Sequence, residues 1–428
     1  MNKKLSLAVA GALVAFASTA NAGISIPAGD WTVDVSGNVN AFYIHSNNKN
    51  SNSVEGGLAN GQSASGSQAS SINTGLLPSW LTIGAKTRQN DLDVAWAISL
   101  QPGASQKHSL QGGGGSEFRQ AYLTFGDASW GTIKLGKDLG VFGSDAILSD
   151  MTLLGVGSQG VVGAQGGTTT TLGRIGAGYL YADFNGQINY SSPTWNGFSF
   201  VAGIAQPMTT LNLSDSSAAA SGTQQSPAFE AVARYAFTAD QVNGKVWAEV
   251  KTQDVRGINA ASGNFVAGVF NPVTGATSLV THPAASKGTS TQATAYGIGA
   301  NVAASGFNLT GYYYSAEGVG TTAWLMDGIA ADGSKRGSDG GFVQATYALP
   351  TVGTKLGVSW GISKLDKANA LDTDTALVKE NEMWTVGVYH PLTKSVNLVA
   401  EYSNVKSQNQ ASQENKSDIV SAGAILFF

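Results

Sequence analysis

Three sets of residues have types and spacings that do chemistry in other proteins. Gly155, Gly157 and Gly160 stand at the spacing of a dinucleotide-binding loop, and Asp183 lies roughly where an acid would hold a ribose. That chemistry requires a helix directly after the glycines, its N-terminus on the pyrophosphate, whereas residues 161–173 are glycine- and threonine-rich and poor helix material. Asp372 and Asp374, followed by Glu380 and Glu382, offer carboxylates for calcium, but without the central glycine of a calcium loop they read as a solvated acidic loop. His45, His108, His282 and His390 are scattered, none paired at metal-ligand spacing. The chain has no cysteine, which removes disulfides, thiolate zinc sites, iron–sulfur clusters and cysteine nucleophiles. No cofactor or metal is expected, and no nucleophile, base and orienting group stand out as an enzyme's constellation. A formal net charge of −4 gives no support to a nucleic-acid partner.

The elements that must position any functional side chain are strands. Hydrophobic residues make up 42% of the 428 residues and charged residues only 12%, about half the usual share for a soluble protein. Apolar residues alternate with polar ones: Trp31, Val33, Val35, Val39, Ala41 and Tyr43 share one face, as do Leu92, Val94, Trp96, Ile98 and Leu100. The pattern recurs in 228–237, 354–363 and 395–403. Strands of about ten residues are expected near 31–45, 77–88, 92–101, 117–126, 130–137, 180–191, 197–206, 228–237, 244–254, 292–303, 306–315, 340–348, 354–364, 382–390, 395–405 and 417–428, about sixteen in all. Long polar connectors alternate with short ones such as Gly126–Ser129 and Pro391–Lys394, the consequence of a meandering barrel with one ragged and one trimmed rim. The expected fold is all-β: a transmembrane antiparallel β-barrel. A β-sandwich does not explain the loop asymmetry, and an adhesin-like β-helix needs a repeat of fixed length that the chain lacks.

Both ends agree. Lys3 and Lys4, the apolar run Leu5–Ala17 and the small residues Ala20 and Ala22 read as a signal peptide over 1–22, cleaved between Ala22 and Gly23, leaving 23–428 as the barrel domain. At the other end Val420, Ala422, Ala424, Leu426 and Phe428 alternate to a terminal phenylalanine, read as a barrel-assembly signal. An outer-membrane location follows.

Here the residues resemble the Gram-negative general-diffusion porins of the trimeric, sixteen-stranded type. Arg119-Gln120-Ala121-Tyr122, continuing through Phe125-Gly126 to Gly136-Lys137, is similar to that family's Arg-Gln-Ala-Tyr hairpin, with Trp130 in place of a phenylalanine and Lys137 in place of an arginine. Asn185 to Phe198 is similar to a second family stretch, its arginine falling on Asn189 and its aspartate on Ser191. Ile83-Gly84-Ala85-Lys86 is a shorter match. The resemblance implies a homotrimer in contact with lipid and lipopolysaccharide, delivered by the barrel assembly machinery. It also implies a long third loop folded into the pore, which falls at 138–179, where Val141-Phe142, Ile147-Leu148 and Leu153-Leu154 are too apolar for a solvated loop.

Strand parity then aims charges at the lumen. If Leu81, Ile83 and Ala85 face lipid, Lys86 and Arg88 face inward, since reversal would put both in lipid at roughly 2–4 kcal/mol each near the midplane. By the same rule Lys134, Glu230, Arg234, Glu249 and Lys251 line the pore, while Arg119, sharing parity with Leu123 and Phe125, must sit at a rim or beyond a bulge. Asp138, Asp145 and Asp150 lie on the expected constriction loop. Lys86, Arg88 and Lys134 facing those acids would set a transverse field that orients dipolar solutes and sorts ions. The expected function is passive diffusion of small hydrophilic solutes and ions. The alternatives are a channel preferring small organic anions, a barrel enzyme and an exported adhesin.

Overall fold

The computed structural model describes residues 23–64, 66–104, 116–159, 170–213, 224–256, 265–270, 277–282, 290–330 and 332–428, with 265–270 and 277–282 as backbone only. Sixteen antiparallel strands close into one barrel. The first eight are β1 (Trp31–Lys49), β2 (Trp80–Gln89), β3 (Leu92–Pro102), β4 (Ser116–Asp127), β5 (Gly131–Leu139), β6 (Phe184–Ser191), β7 (Phe198–Ala205) and β8 (Ala228–Ala239). The second eight are β9 (Val242–Val255), β10 (Thr291–Ala304), β11 (Phe307–Glu317), β12 (Gly337–Ala348), β13 (Lys355–Leu365), β14 (Val378–Pro391), β15 (Val396–Asn409) and β16 (Glu414–Phe427). Each pairs with its neighbour in sequence, and β1 meets β16 with Asn38 opposite Phe427 and Lys49 opposite Lys416. Closure leaves no long open edge, which is how a sheet satisfies its backbone in hydrocarbon.

The strands form where the alternation predicts them. Trp96 and Ile98 of β3 are exposed while Ala97 and Ser99 between them are buried; in β16 Val420 is exposed between buried Ile419 and Ser421. Apolar side chains outside and polar or packed ones inside fit a wall between lipid and lumen. Short turns join the strands at one rim. Asn90 and Asp91 both take positive φ, 47° and 61°, the geometry of a two-residue hairpin turn.

Several elements have no counterpart in the sequence expectation. A strand at Ile24–Ala28 pairs with Trp31–Val35 and continues, past Phe428, the edge of β1 that β16 leaves uncovered. Gln68–Asn73 pairs with Phe42–Asn47, and Phe265–Phe270 pairs with Thr277–His282. The third long connection runs 140–183 rather than 138–179. Asp138 belongs to β5, opposite Asn185, and residues 180–183, expected to begin the next strand, belong to the connection, with Leu180 and Ala182 packed inside the barrel.

That connection carries a short helix α1 (Ser144–Ser149) and a 3-10 turn at Met151–Leu154. Val141, Phe142, Met151, Leu153, Tyr179 and Leu180 are buried with inward residues of the wall, among them Phe42, Trp247, Phe342, Ile419 and Ile425. A hydrophobic core therefore sits inside the lumen. At roughly 25 cal/mol per Å² of apolar surface removed from water, it gives the loop a reason to stay there.

Candidate functional site

Two inward glutamates of the wall, Glu230 and Glu401, grip the backbone of the third connection. Glu230 of β8 accepts the N–H groups of Val141 and Phe142 at 2.6 and 3.2 Å, and its other oxygen lies 2.6 Å from Lys251 Nζ of β9. Glu249 of β9, buried beside them, accepts the Tyr312 hydroxyl at 2.7 Å. Glu401 of β15 accepts Val156 N–H at 2.7 Å, Gly157 N–H at 2.9 Å and the Tyr389 hydroxyl at 2.7 Å. Gln344 of β12 adds two more bonds, accepting from Met151 N–H and donating to the Ser149 carbonyl. Irregular backbone carries unpaired N–H groups, and buried carboxylates that collect them in twos are among the stronger ways to hold it.

Asp145 and Arg174 of the connection are spent on the same wall, and Asp150 on the connection itself. Asp145 bonds Arg234 Nε at 2.7 Å and Lys245 Nζ at 2.6 Å. Burial pushes the Asp145 carboxyl up, but the two cations outweigh it and hold it below the usual carboxylate range. Asp150 accepts Thr152 N–H and the Thr152 and Tyr179 hydroxyls. Arg174, wholly buried, donates to the Met383 carbonyl of β14 at 2.9 Å, and burial draws its pKa down against the opposing pull of Asp150. The connection thus leaves β5, follows β8, β9, β12 and β15, and returns past β14 and β13 to β6. Its two arms cross at Gly157 and Gly173, both at φ 55°, where a Cβ on Gly157 would come within 2.6 Å of Gly173 Cα.

With the loop bound to β8–β15, open space remains on the side of β2–β6. A cavity of about 250 Å³ lies there. Its loop side is mainly apolar, formed by Ile147, Leu148, Leu153, Leu172 and Ile175 with Thr170 and Thr171; the other side carries Gln101, Glu117, Arg119 and Gln120 among apolar residues such as Leu76, Trp80 and Leu139, with Asp183 beside them. Arg119 Nε bonds Glu117 at 2.8 Å and its guanidinium lies 5.5 Å from the centre of the Phe184 ring. A register shift between Ser99 and Gln101 lets Glu117 and Arg119 line the lumen, against the parity of Leu123 and Phe125 further along β4.

The opposed basic and acidic rows expected from sequence are arranged differently. Lys86 pairs with Asp34 at 2.7 Å, and Arg88 with Asp93 and Asp127 at 2.8 Å each, the two bases and Asp93 about half-exposed beside the short-turn rim. Lys134 bonds Asp138 of its own strand. Asp145 faces the far wall, and Asp150 is bonded within the loop to Thr152 and Tyr179. Glu230, Glu249, Arg234 and Lys251 do point inward, but against the loop. Glu401 and Gln344 were missed, although each is a lone inward polar residue between outward apolar neighbours, Ala400 and Tyr402 or Val343 and Ala345.

The other chemical readings do not assemble. The glycine run meets Glu401 where a phosphate would sit, and residue 160 lies outside the described residues. Asp372 is bonded by Arg336 at 2.7 and 2.8 Å, Glu380 by Lys406, and Glu382 by Trp360 on the outer face. Among the described residues no cluster has the ligands for a metal ion.

A closed sixteen-stranded barrel, apolar outside and narrowed by an inward loop, defines a β-barrel membrane channel. The chain belongs to the Gram-negative porin family, which it matches over residues 8–410. It is an outer-membrane channel for passive diffusion of small solutes. Among solved structures, the outer membrane channel DcaP of Acinetobacter baumannii is similar at 14% identity, with 95% of this chain and 100% of that chain covered and a TM-score of 0.63. OmpF of Salmonella typhi, in complex with daunomycin, is similar at 14% identity over 95% of this chain and 100% of that chain, TM-score 0.54. OmpT of Vibrio cholerae in a trimer form shares 13% identity over 93% and 99% of the two chains, TM-score 0.53. A comparison with curated proteins finds no match.

Proposed function

We propose that small hydrophilic solutes and ions cross this channel along the β2–β6 side of the lumen, between the apolar face of the third connection and the Gln101–Glu117–Arg119–Gln120 wall, and that the protein does no catalysis. The observation that carries this reading is where the loop is held: its side-chain anchors Glu230, Gln344 and Glu401 all belong to β8–β15, toward β2 it bonds the backbone of Gly75–Leu77, and the cavity lies opposite the carboxylate anchors. The working unit is a homotrimer, an assembly supported by the trimer form of the similar OmpT. Cleavage between Ala22 and Gly23, Phe428-dependent delivery by the assembly machinery, and contact of the outer face with lipid and lipopolysaccharide complete the reading.

The organic-anion alternative loses its main support, because Lys86, Arg88 and Lys134 each have a carboxylate partner. Planar-bilayer recording of the purified protein tests the proposal: steady open steps in potassium chloride are expected, and silence from a folded sample would overturn it. Mass spectrometry of the assembled protein should give Gly23 as its first residue, and removal of Phe428 should lower its yield in outer membranes.

A further inference from the structure

The cavity beside β2–β6 is mostly apolar, with Ile147, Leu148 and Leu172 on the loop side and Leu76, Trp80 and Leu139 facing them, and its charged lining is confined to Glu117, Arg119 and Asp183. Hydrophilic diffusion needs no such apolar face, and water-filled passages are ordinarily lined by polar groups on all sides. The described charged residues lining the cavity are two carboxylates and one guanidinium, an excess of one negative charge. Arg119 is the less available of the three, with 11% of its side chain exposed, bonded to Glu117 and covered by the Phe184 ring; Glu117 is 44% exposed. Asp183, held at φ 57° with its carboxylate on the Phe184 N–H, stands at the start of β6 on the same side.

From this we infer that the cavity is a binding subsite on the permeation path for small organic cations that carry an ammonium group on an apolar body. The ammonium meets Glu117, with Asp183 adding to the local potential, while the alkyl or aryl body lies on the Ile147–Leu148–Leu172 face. A size of about 250 Å³ takes one ring or a short alkyl chain rather than a large solute. An inorganic cation gains only the charge and a neutral apolar solute only the face, so the two together set the preference. The inference rests on the channel reading of the lumen.

The test is block of potassium chloride current in planar bilayers by benzylammonium, with benzoate as the same-shaped anion and ethanolammonium as a cation without the apolar body. Benzylammonium should reduce the current at concentrations where benzoate and ethanolammonium do not. Glu117→Gln, which keeps the shape of the side chain, should weaken that block roughly tenfold, as expected for a lost charge-assisted contact. Leu148→Ser should weaken it too while leaving the weak effect of ethanolammonium unchanged. Equal block by benzoate, or full block in Glu117→Gln, overturns the subsite and leaves the channel standing. Absence of any potassium chloride conductance overturns the channel reading, and the subsite with it.

Discussion

Glu401 Oε2 lies 2.7 Å from the backbone nitrogen of Val156, a residue 245 positions away in the chain. The bond ties the far end of the internal connection to β15. Together with Gly157 N–H and the Tyr389 hydroxyl it fills a buried carboxylate that would otherwise be costly.

Removing that carboxylate should loosen the loop without opening the barrel. Glu401→Ala strands two backbone N–H groups, each worth about 1–3 kcal/mol when buried and unpaired. The expected result is an intact barrel with noisier, larger single-channel steps and faster proteolysis within residues 155–173. Glu401→Gln keeps an acceptor and should lie between the two. Wild-type noise in Glu401→Ala would mean that the loop is held from elsewhere.

Asp145 gives the pH dependence. Its carboxyl titrates below the usual range because Arg234 and Lys245 overcome the effect of burial. A depressed carboxyl stabilises fully above the unfolded value of about 3.9 and loses that contribution as pH falls through the lower folded value. Conductance should therefore be steady, as far as Asp145 is concerned, from neutrality down to about pH 4, and change only in stronger acid. Asp145→Asn should bring the same change at neutral pH by leaving two cations against one amide. Recording step size against pH in both proteins checks it; an acid transition already at pH 6 that Asp145→Asn does not move would assign the latch to another group.

The crossing of the loop arms can be tested by adding one carbon. Gly157→Ala must place a Cβ within 2.6 Å of Gly173 Cα at a φ of 55°, which an L side chain rarely adopts. A cost of about 1–3 kcal/mol is expected, read as a lower midpoint for heat dissociation. Gly311→Ala on the outer face of β11, where a Cβ meets nothing within 4 Å, should leave the midpoint unchanged. Equal midpoints for both variants would mean that the arms do not cross so closely.

Selectivity at the short-turn rim follows from charge balance. Lys86 and Arg88 together offset Asp34, Asp93 and Asp127. Replacing both bases with alanine leaves three carboxylates, so the reversal potential should move toward cations. Screening lengths of about 10 Å at 0.1 M and about 30 Å at 0.01 M mean that the shift should shrink as salt rises. Identical reversal potentials in a dilute gradient would remove these residues from the conducting path.

Strand parity was legible because it is local. Trp96 and Ile98 declare their face to each neighbour two residues away, and Lys86 or Glu249 inherits its direction from them. The partners of those charges were not legible, since Asp145 reaches Arg234 and Lys245 only after the connection has crossed the lumen. Asp138 was misassigned to the loop because nothing in its own sequence marks β5 as running two residues further. Ile24–Ala28 lies ahead of the first expected strand and contains Pro27, yet it pairs with Trp31–Val35. At the border of a sheet a proline costs no ladder bond, and Gly29 supplies the turn at φ 65°.

The hydrophobic interior of the barrel also bears on the order of assembly. Val39 and Leu426 are neighbours in the finished wall, so the ring cannot shut until almost the whole chain has been delivered. Phe142, Tyr179 and Trp324 lie within it as part of one apolar cluster with Phe42 and Phe342. Once shut, the ring admits them only through its mouth, past polar side chains; before that, they can collapse onto an open, curling sheet. Strand number and stagger set the curvature at which the first and last strands meet, and the internal loop is enclosed as that sheet curls over it. Polar substitutions at Phe142 or Trp324 would accordingly be felt first as slow or failed closure, before any change in conductance.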